Sequence, residues 1–134
     1  MLAPALDTVR LTLHVLAATV WVGGQIVMMG LVGPARTLGG EAPRTLARAF
    51  ARMAWPAYVV LLLTGIWNVS SFTWSSQSSA WKAVLMAKIV VVLLAGLGSF
   101  LHQRATTKGQ LALWGSAAGT ASVAALVMGI LLAG

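Results

Sequence analysis

Apolar residues run along this chain in four long blocks separated by short polar segments. Crossing the ~30 Å hydrocarbon core of a bilayer takes roughly 20 helical residues. Four segments reach that length: residues 10–32, 54–71, 79–101 and 111–134. The pattern predicts an all-α membrane protein, a four-transmembrane-helix bundle forming one domain over 1–134. The polar segments have their own order. Between the first two blocks, a loop over 34–52 contains Gly39-Gly40, which breaks the chain, and then Glu41-Ala42-Pro43, which starts a helix with proline in its first turn. Arg44, Arg48 and Arg52 follow at four-residue spacing and form a basic stripe on one helical face, suited to anionic headgroups. The segment SSFTWSSQSS carries Trp74 and is flanked by Trp67 and Trp81, as in an interfacial aromatic belt. The fourth block contains Gly115-x-x-x-Gly119, a spacing that permits close helix contact.

Composition removes the soluble alternative. The chain is 59% hydrophobic and 8% charged, where soluble domains have about a quarter of their residues charged. A chain of 134 residues has too much surface to bury so large an apolar fraction in water. There is no cysteine, which excludes disulfides, thiolate metal sites and iron–sulfur clusters. The net charge of +7 comes from residues that flank the apolar blocks, a distribution that fits membrane topology and argues against nucleic acid as a partner. Arg36, Arg44, Arg48, Arg52, Arg104 and Lys108 fall on one side, Arg10 and Lys82 on the other. By the positive-inside rule the 34–52 loop is cytoplasmic and both termini lie outside the cytoplasm. The expected location is a bacterial-type inner membrane, with the first block retained as a span and the lipid bilayer as the obligatory partner.

Ionisable side chains inside spans are costly and mark functional positions. Three stand out: His14, Lys88 and His102. With both helices running inward, His14 lies about 6 Å and Lys88 roughly 12 Å below the outer ends of their spans. His102 lies near the cytoplasmic end, roughly 20 Å from His14 along the membrane normal, so the two cannot be axial partners on one iron. Helical spacing puts Ala18, Trp21, Gln25 and Met28 on the His14 face, and Trp81, Val92, Ala95, Ser99 and His102 on the Lys88 face. Thr64, Trp67 and Asn68 on the second span and Met128 on the fourth belong to the outer half. Structural roles compete at each position: His14 as an interhelical hydrogen-bond donor, Lys88 as a snorkelling cation, His102 as an interfacial residue. Asp7 and Glu41, the only carboxylates, fall outside the spans, which excludes a Ser–His–Asp set and leaves no catalytic residue assigned.

LHVLAATVWVGG in the first span, Trp55-Pro56 and LLLTGIWN in the second, and AKIVVVLLAGLGSFLHQR in the third resemble the four-helix membrane family containing the copper resistance D (CopD) domain and the HemJ-type protoporphyrinogen oxidases. The resemblance covers residues 11–104. It implies that His14 and Lys88 are the ligating positions, with haem b in the HemJ branch and copper in the CopD branch. On that expectation His14, Lys88, Trp21, Gly24, Trp67 and Met128 surround a haem or related redox metal centre in the outer half, used in electron transfer or porphyrin-linked redox chemistry by an oxidoreductase. The copper alternative runs through His14, Met86 and His102. A third reading is an accessory subunit, its polar stripes packing within a homo-oligomer or a larger membrane complex.

Overall fold

A computed structural model describes residues 4–134. Among the described residues the chain is helical apart from short connections, and four helices are long and apolar enough to cross a membrane. These are α1 (Ala5–Thr37), α2 (Ala42–Ser70), α3 (Ser79–Arg104) and α4 (Lys108–Ala133). Within each, 17–22% of the most apolar stretch is buried by the chain itself. Many of the Leu, Ile and Val side chains on these helices are exposed, an arrangement that is stable when the surrounding medium is lipid.

The chain divides into two compact units, Met1–Phe72 and Thr73–Gly134, each built around one pair of helices.

In the first unit, α1 ends at Thr37 with Leu38 as its C-cap, and Gly39 follows with φ of 122°, a left-handed turn that a residue bearing Cβ adopts with difficulty. The 34–52 segment is therefore not an extended loop. Residues 34–37 complete α1, and α2 begins at Ala42, with Pro43 in its first turn, and continues unbroken through the arginine stripe into the membrane span. Pro56 sits inside α2 without ending it. A proline removes one backbone hydrogen bond, which a packed membrane helix tolerates. At 29 residues, α2 is about 44 Å long, so its basic first turns extend beyond the hydrocarbon. Glu41 pairs with Arg44 at 3.8 Å and with Arg48 at 3.6 Å on the surface, contacts that add little stability.

α1 has one irregularity. Thr19–Gly23 forms a π-helical turn, in which the wider spacing displaces a backbone carbonyl from the regular ladder. The Gln25 amide donates to the Trp21 carbonyl at 3.0 Å. The Thr19 hydroxyl donates to Val15 O at 2.9 Å. Gln25, placed on the His14 face by spacing, thus serves the backbone of its own helix.

The second unit is a tight hairpin capped at both helix starts: Ser78 accepts from Trp81 N at 3.1 Å, and Thr107 from Gln110 N at 3.2 Å. Small residues bring α3 and α4 together. A Cβ on Gly98 would lie 3.3 Å from the Ala118 backbone nitrogen, and Ala95, Gly96, Ala118, Ser122 and Ala125 are buried around it. The Gly115-x-x-x-Gly119 pair is used differently: Gly115 makes room for the His102 ring, while a Cβ on Gly119 would meet nothing within 4 Å.

Candidate functional site

In the first unit, the facing sides of α1 and α2 carry a ladder of polar and aromatic contacts. At its outer end by the topology expected above, Arg10 is 8% exposed. Its Nη2 pairs with Asp7 at 3.1 Å, and its Nη1 donates to Ser71 Oγ. The Ser71 hydroxyl in turn donates to the Trp67 carbonyl at 2.8 Å. The charge counting above treats Arg10 only as a flanking cation, yet it closes this end of the hairpin.

One turn further along α1, His14 Nδ1 lies 2.7 Å from Thr64 Oγ1. Thr64 is 5% exposed, and its Oγ1 lies 2.7 Å from the Val60 carbonyl oxygen. These two contacts assign the protons. A carbonyl only accepts, so the single Thr64 hydroxyl hydrogen goes to Val60 O. Thr64 Oγ1 then accepts from His14 Nδ1–H, the arrangement in which a neutral ring has its lone pair on Nε2. The relay His14 Nδ1–H to Thr64 Oγ1–H to Val60 O orients the ring. Gly65 lies beside it: a Cβ there would stand 3.9 Å from His14 Cε1.

Below His14 the ladder becomes aromatic. Trp21, 4% exposed, packs against Tyr58 with ring centroids 4.6 Å apart and against Trp55 at 5.5 Å. Trp55 and Tyr58 meet edge to face at 5.7 Å. Such pairs add to the apolar burial that holds α1 on α2. Trp21 therefore shares the His14 face and is a core residue of the hairpin. The position a Cβ on Gly24 would fill is occupied by the edge of the Phe50 ring. Next to it a groove of about 360 Å³ is lined by Thr19, Val20, Gly23, Gly24, Val27, Phe50 and Met53. Trp67 is 40% exposed.

The second unit holds the other singled-out residues. Lys88 folds against α4, where a Cβ on Gly129 would lie 2.9 Å from its Nζ; Met128, adjacent in sequence, is half-buried. His102 Nδ1 donates to the Leu111 carbonyl at 2.9 Å, which pins the end of α3 to the start of α4. Trp81 Nε1 donates to Leu132 O at 3.2 Å and stacks edge to face on Trp74 at 6.5 Å, tying the opposite end. Met86 is 55% exposed. Among the described residues no three His, Cys, Asp or Glu side chains group as a metal site.

Two residues of the ladder carry roles that spacing alone misses: Arg10 as the buried clamp and Thr64 as the orienting acceptor. Asn68 lies one turn beyond Thr64 on α2, and among the described residues its buried Oδ1 has no hydrogen-bond partner.

The chain matches no family model, no curated protein and no solved structure.

Proposed function

We propose that this multi-pass membrane protein binds a b-type haem through His14 and serves electron transfer or porphyrin-linked redox chemistry, as the resemblance to CopD and HemJ-type proteins implies. We place it in a bacterial-type inner membrane, with the Leu38–Glu41 turn on the cytoplasmic side and both termini outside. The observation that supports the haem reading is the relay from His14 Nδ1 through Thr64 to Val60 O. A histidine that ligates a metal needs one ring nitrogen deprotonated and oriented, and it obtains this by donating its other N–H to a fixed acceptor. Thr64 is such an acceptor, and in the neutral ring that donates to it the lone pair is on Nε2.

The donor set fits iron in a porphyrin better than a bare ion, because one neutral imidazole suffices as a proximal haem ligand. A bare copper or zinc ion takes several protein ligands. When bound, haem supplies a one-electron iron couple. The protein's part is to orient the imidazole through Thr64, to raise its basicity through the Nδ1–H bond, and to seal the inner side with the Trp21–Trp55–Tyr58 cluster.

The test is haem titration of the purified, detergent-solubilised protein, followed by absorbance, with His14→Gly and added imidazole. Wild type is expected to give a saturable Soret band at one haem per chain. His14→Gly should lose it and regain it with imidazole. Equal haem uptake by wild type and His14→Gly contradicts the proposal.

A further inference from the structure

The two helices of the first hairpin carry charge at different heights. On α2, Arg44, Arg48 and Arg52 precede an apolar stretch that begins at Met53, whereas α1 has no charged residue between Arg10 and Arg36. Contacts between the helices set their register. Phe50 fills the space beside Gly24, and Trp55 packs against Trp21 at 5.5 Å. Arg52 stands between Phe50 and Trp55 and is therefore level with the middle of α1, near Gly23. From that height α1 stays uncharged as far as Val32, nine residues on and roughly 13 Å further along the axis. The basic stripe of one helix and the uncharged end of the other thus share one height.

They also face opposite ways. Phe50, half-buried against Gly24, and Ala54, buried one turn on, mark the side of α2 turned toward α1. Arg48 and Arg52 each stand two residues before one of these, about 200° around the helix. Arg44 continues their row by one turn, and all three arginines are exposed. On α1, Ala35 is buried and Met28 half-buried, while Ile26, Met29 and Leu31 are exposed, Met29 to 77%. This end of the hairpin has an apolar flank on α1 and a cationic flank on α2.

An upright hairpin serves only one flank. With Arg52 at the headgroups, Ile26, Met29 and Leu31 stand in water; with those three in hydrocarbon, Arg48 and Arg52 are drawn in after them, where charge is costly. An oblique hairpin serves both, as an amphipathic helix does at a membrane surface. Glu41 is the only carboxylate near Arg36, Arg44, Arg48 and Arg52 in the sequence, so the flank carries surplus positive charge. A guanidinium fork matches a phosphate in charge and geometry.

We propose that residues 26–52 lie obliquely in the headgroup layer and bind anionic phospholipids, with Ile26, Met29 and Leu31 among the acyl chains and Arg44, Arg48 and Arg52 on the phosphates. That this is the cytoplasmic leaflet rests on the orientation proposed above. The pairing of the two flanks does not, and a reversed topology moves the site to the other leaflet without changing either result below.

Two measurements test it. Met29 and Thr45 stand five residues beyond Gly24 and five before Phe50, so they are level along the hairpin. Met29 lies on the apolar flank, and Thr45, three residues before Arg48, lies on the cationic one. Spin labels on Met29→Cys and Thr45→Cys, in mixed phosphatidylcholine–phosphatidylglycerol vesicles, should part: the first relaxed by oxygen from the hydrocarbon, the second by a water-soluble nickel chelate. Equal depths for the two labels overturn the oblique placement. In neutral detergent, the purified protein should retain phosphatidylglycerol over phosphatidylcholine by about 10- to 100-fold, as expected for two or three arginines at a lipid surface. The triple change of Arg44, Arg48 and Arg52 to Gln should bring that ratio near unity. The triple change to Lys should keep most of it, and secures the test if the Gln variant does not fold. Glycerol phosphate, the headgroup without its chains, should not displace the lipid. Equal retention of the two lipids by wild type, an unchanged ratio in the folded Gln variant, or displacement by glycerol phosphate overturns the lipid as occupant.

Discussion

Replacing Thr64 with valine removes one oxygen from the centre of the His14 relay while keeping the branched shape. Thr64 is 5% exposed, and both its contacts, to His14 Nδ1 and to Val60 O, are 2.7 Å long. Val60 O retains its place in the helix ladder, so the main loss is the acceptor for His14 Nδ1–H. Leaving a buried donor without its partner costs about 1–3 kcal/mol. Interhelical polar pairs in membrane proteins average ~0.6 kcal/mol and reach ~1.7. His14 is half-buried, so about 1 kcal/mol is expected for the pair. The assay is a double-mutant cycle of His14→Ala and Thr64→Val, by reversible unfolding in mixed micelles. Thr64→Val should destabilise the wild type by about 1–2 kcal/mol and the His14→Ala background by about 1 kcal/mol less. Thr64→Ser should preserve most of the coupling. A coupling below ~0.3 kcal/mol, within the range of independent sites, refutes the relay and the tautomer assigned from it.

Further outcomes follow from the same contacts. In the haem-bound protein, Thr64→Val should weaken haem binding about 10- to 100-fold, the usual effect of removing a group that orients a ligating histidine; an unchanged titration curve opposes this. Gly24→Ala should cost about 1–3 kcal/mol because the Phe50 ring already fills that space, and Phe50→Leu should restore most of it, as read by thermal unfolding. Gly98→Ala, which drives a methyl against the Ala118 backbone, should destabilise more than Gly129→Ala, which meets only the flexible end of Lys88; the reverse order contradicts the packing of the second hairpin. Because the chain has no cysteine, Leu38→Cys and Ser75→Cys give a clean topology test. An impermeant maleimide added outside intact cells should label position 75 and spare position 38; labelling of 38 alone reverses the orientation.

The four spans are legible in the sequence because twenty-residue apolar runs have few other uses, and the direction of the His14 face follows from helical spacing. The boundary between Arg52 and Ala54 was not a boundary. Charge marks where a helix leaves the hydrocarbon, not where it ends, and α2 carries its arginines on the same rod that crosses the membrane. Arg10 illustrates the converse. A residue at a span edge reads as a topology signal, and only the approach of Ser71 and Asp7 shows it to be buried. Trp21 and Gly24 lie on the α1 side that meets α2, but the sequence does not say that Trp55, Tyr58 and Phe50 fill the space next to them. Apolar spans carry weak facial asymmetry, so which residue of one helix meets which of the other is written in local volume: Phe50 against Gly24, His102 against Gly115, Lys88 against Gly129. Neither the π-turn at Thr19–Gly23 nor the capture of the Trp21 carbonyl by Gln25 is marked in the spacing of apolar residues.

The most direct test of the central claim is the absorbance spectrum of the protein as purified from cells supplied with a haem precursor, beside His14→Ala prepared identically. The proposal predicts a Soret band with reducible α and β bands at one haem per chain in wild type, absent from His14→Ala. A colourless wild-type protein, or a band of equal height in both, contradicts it.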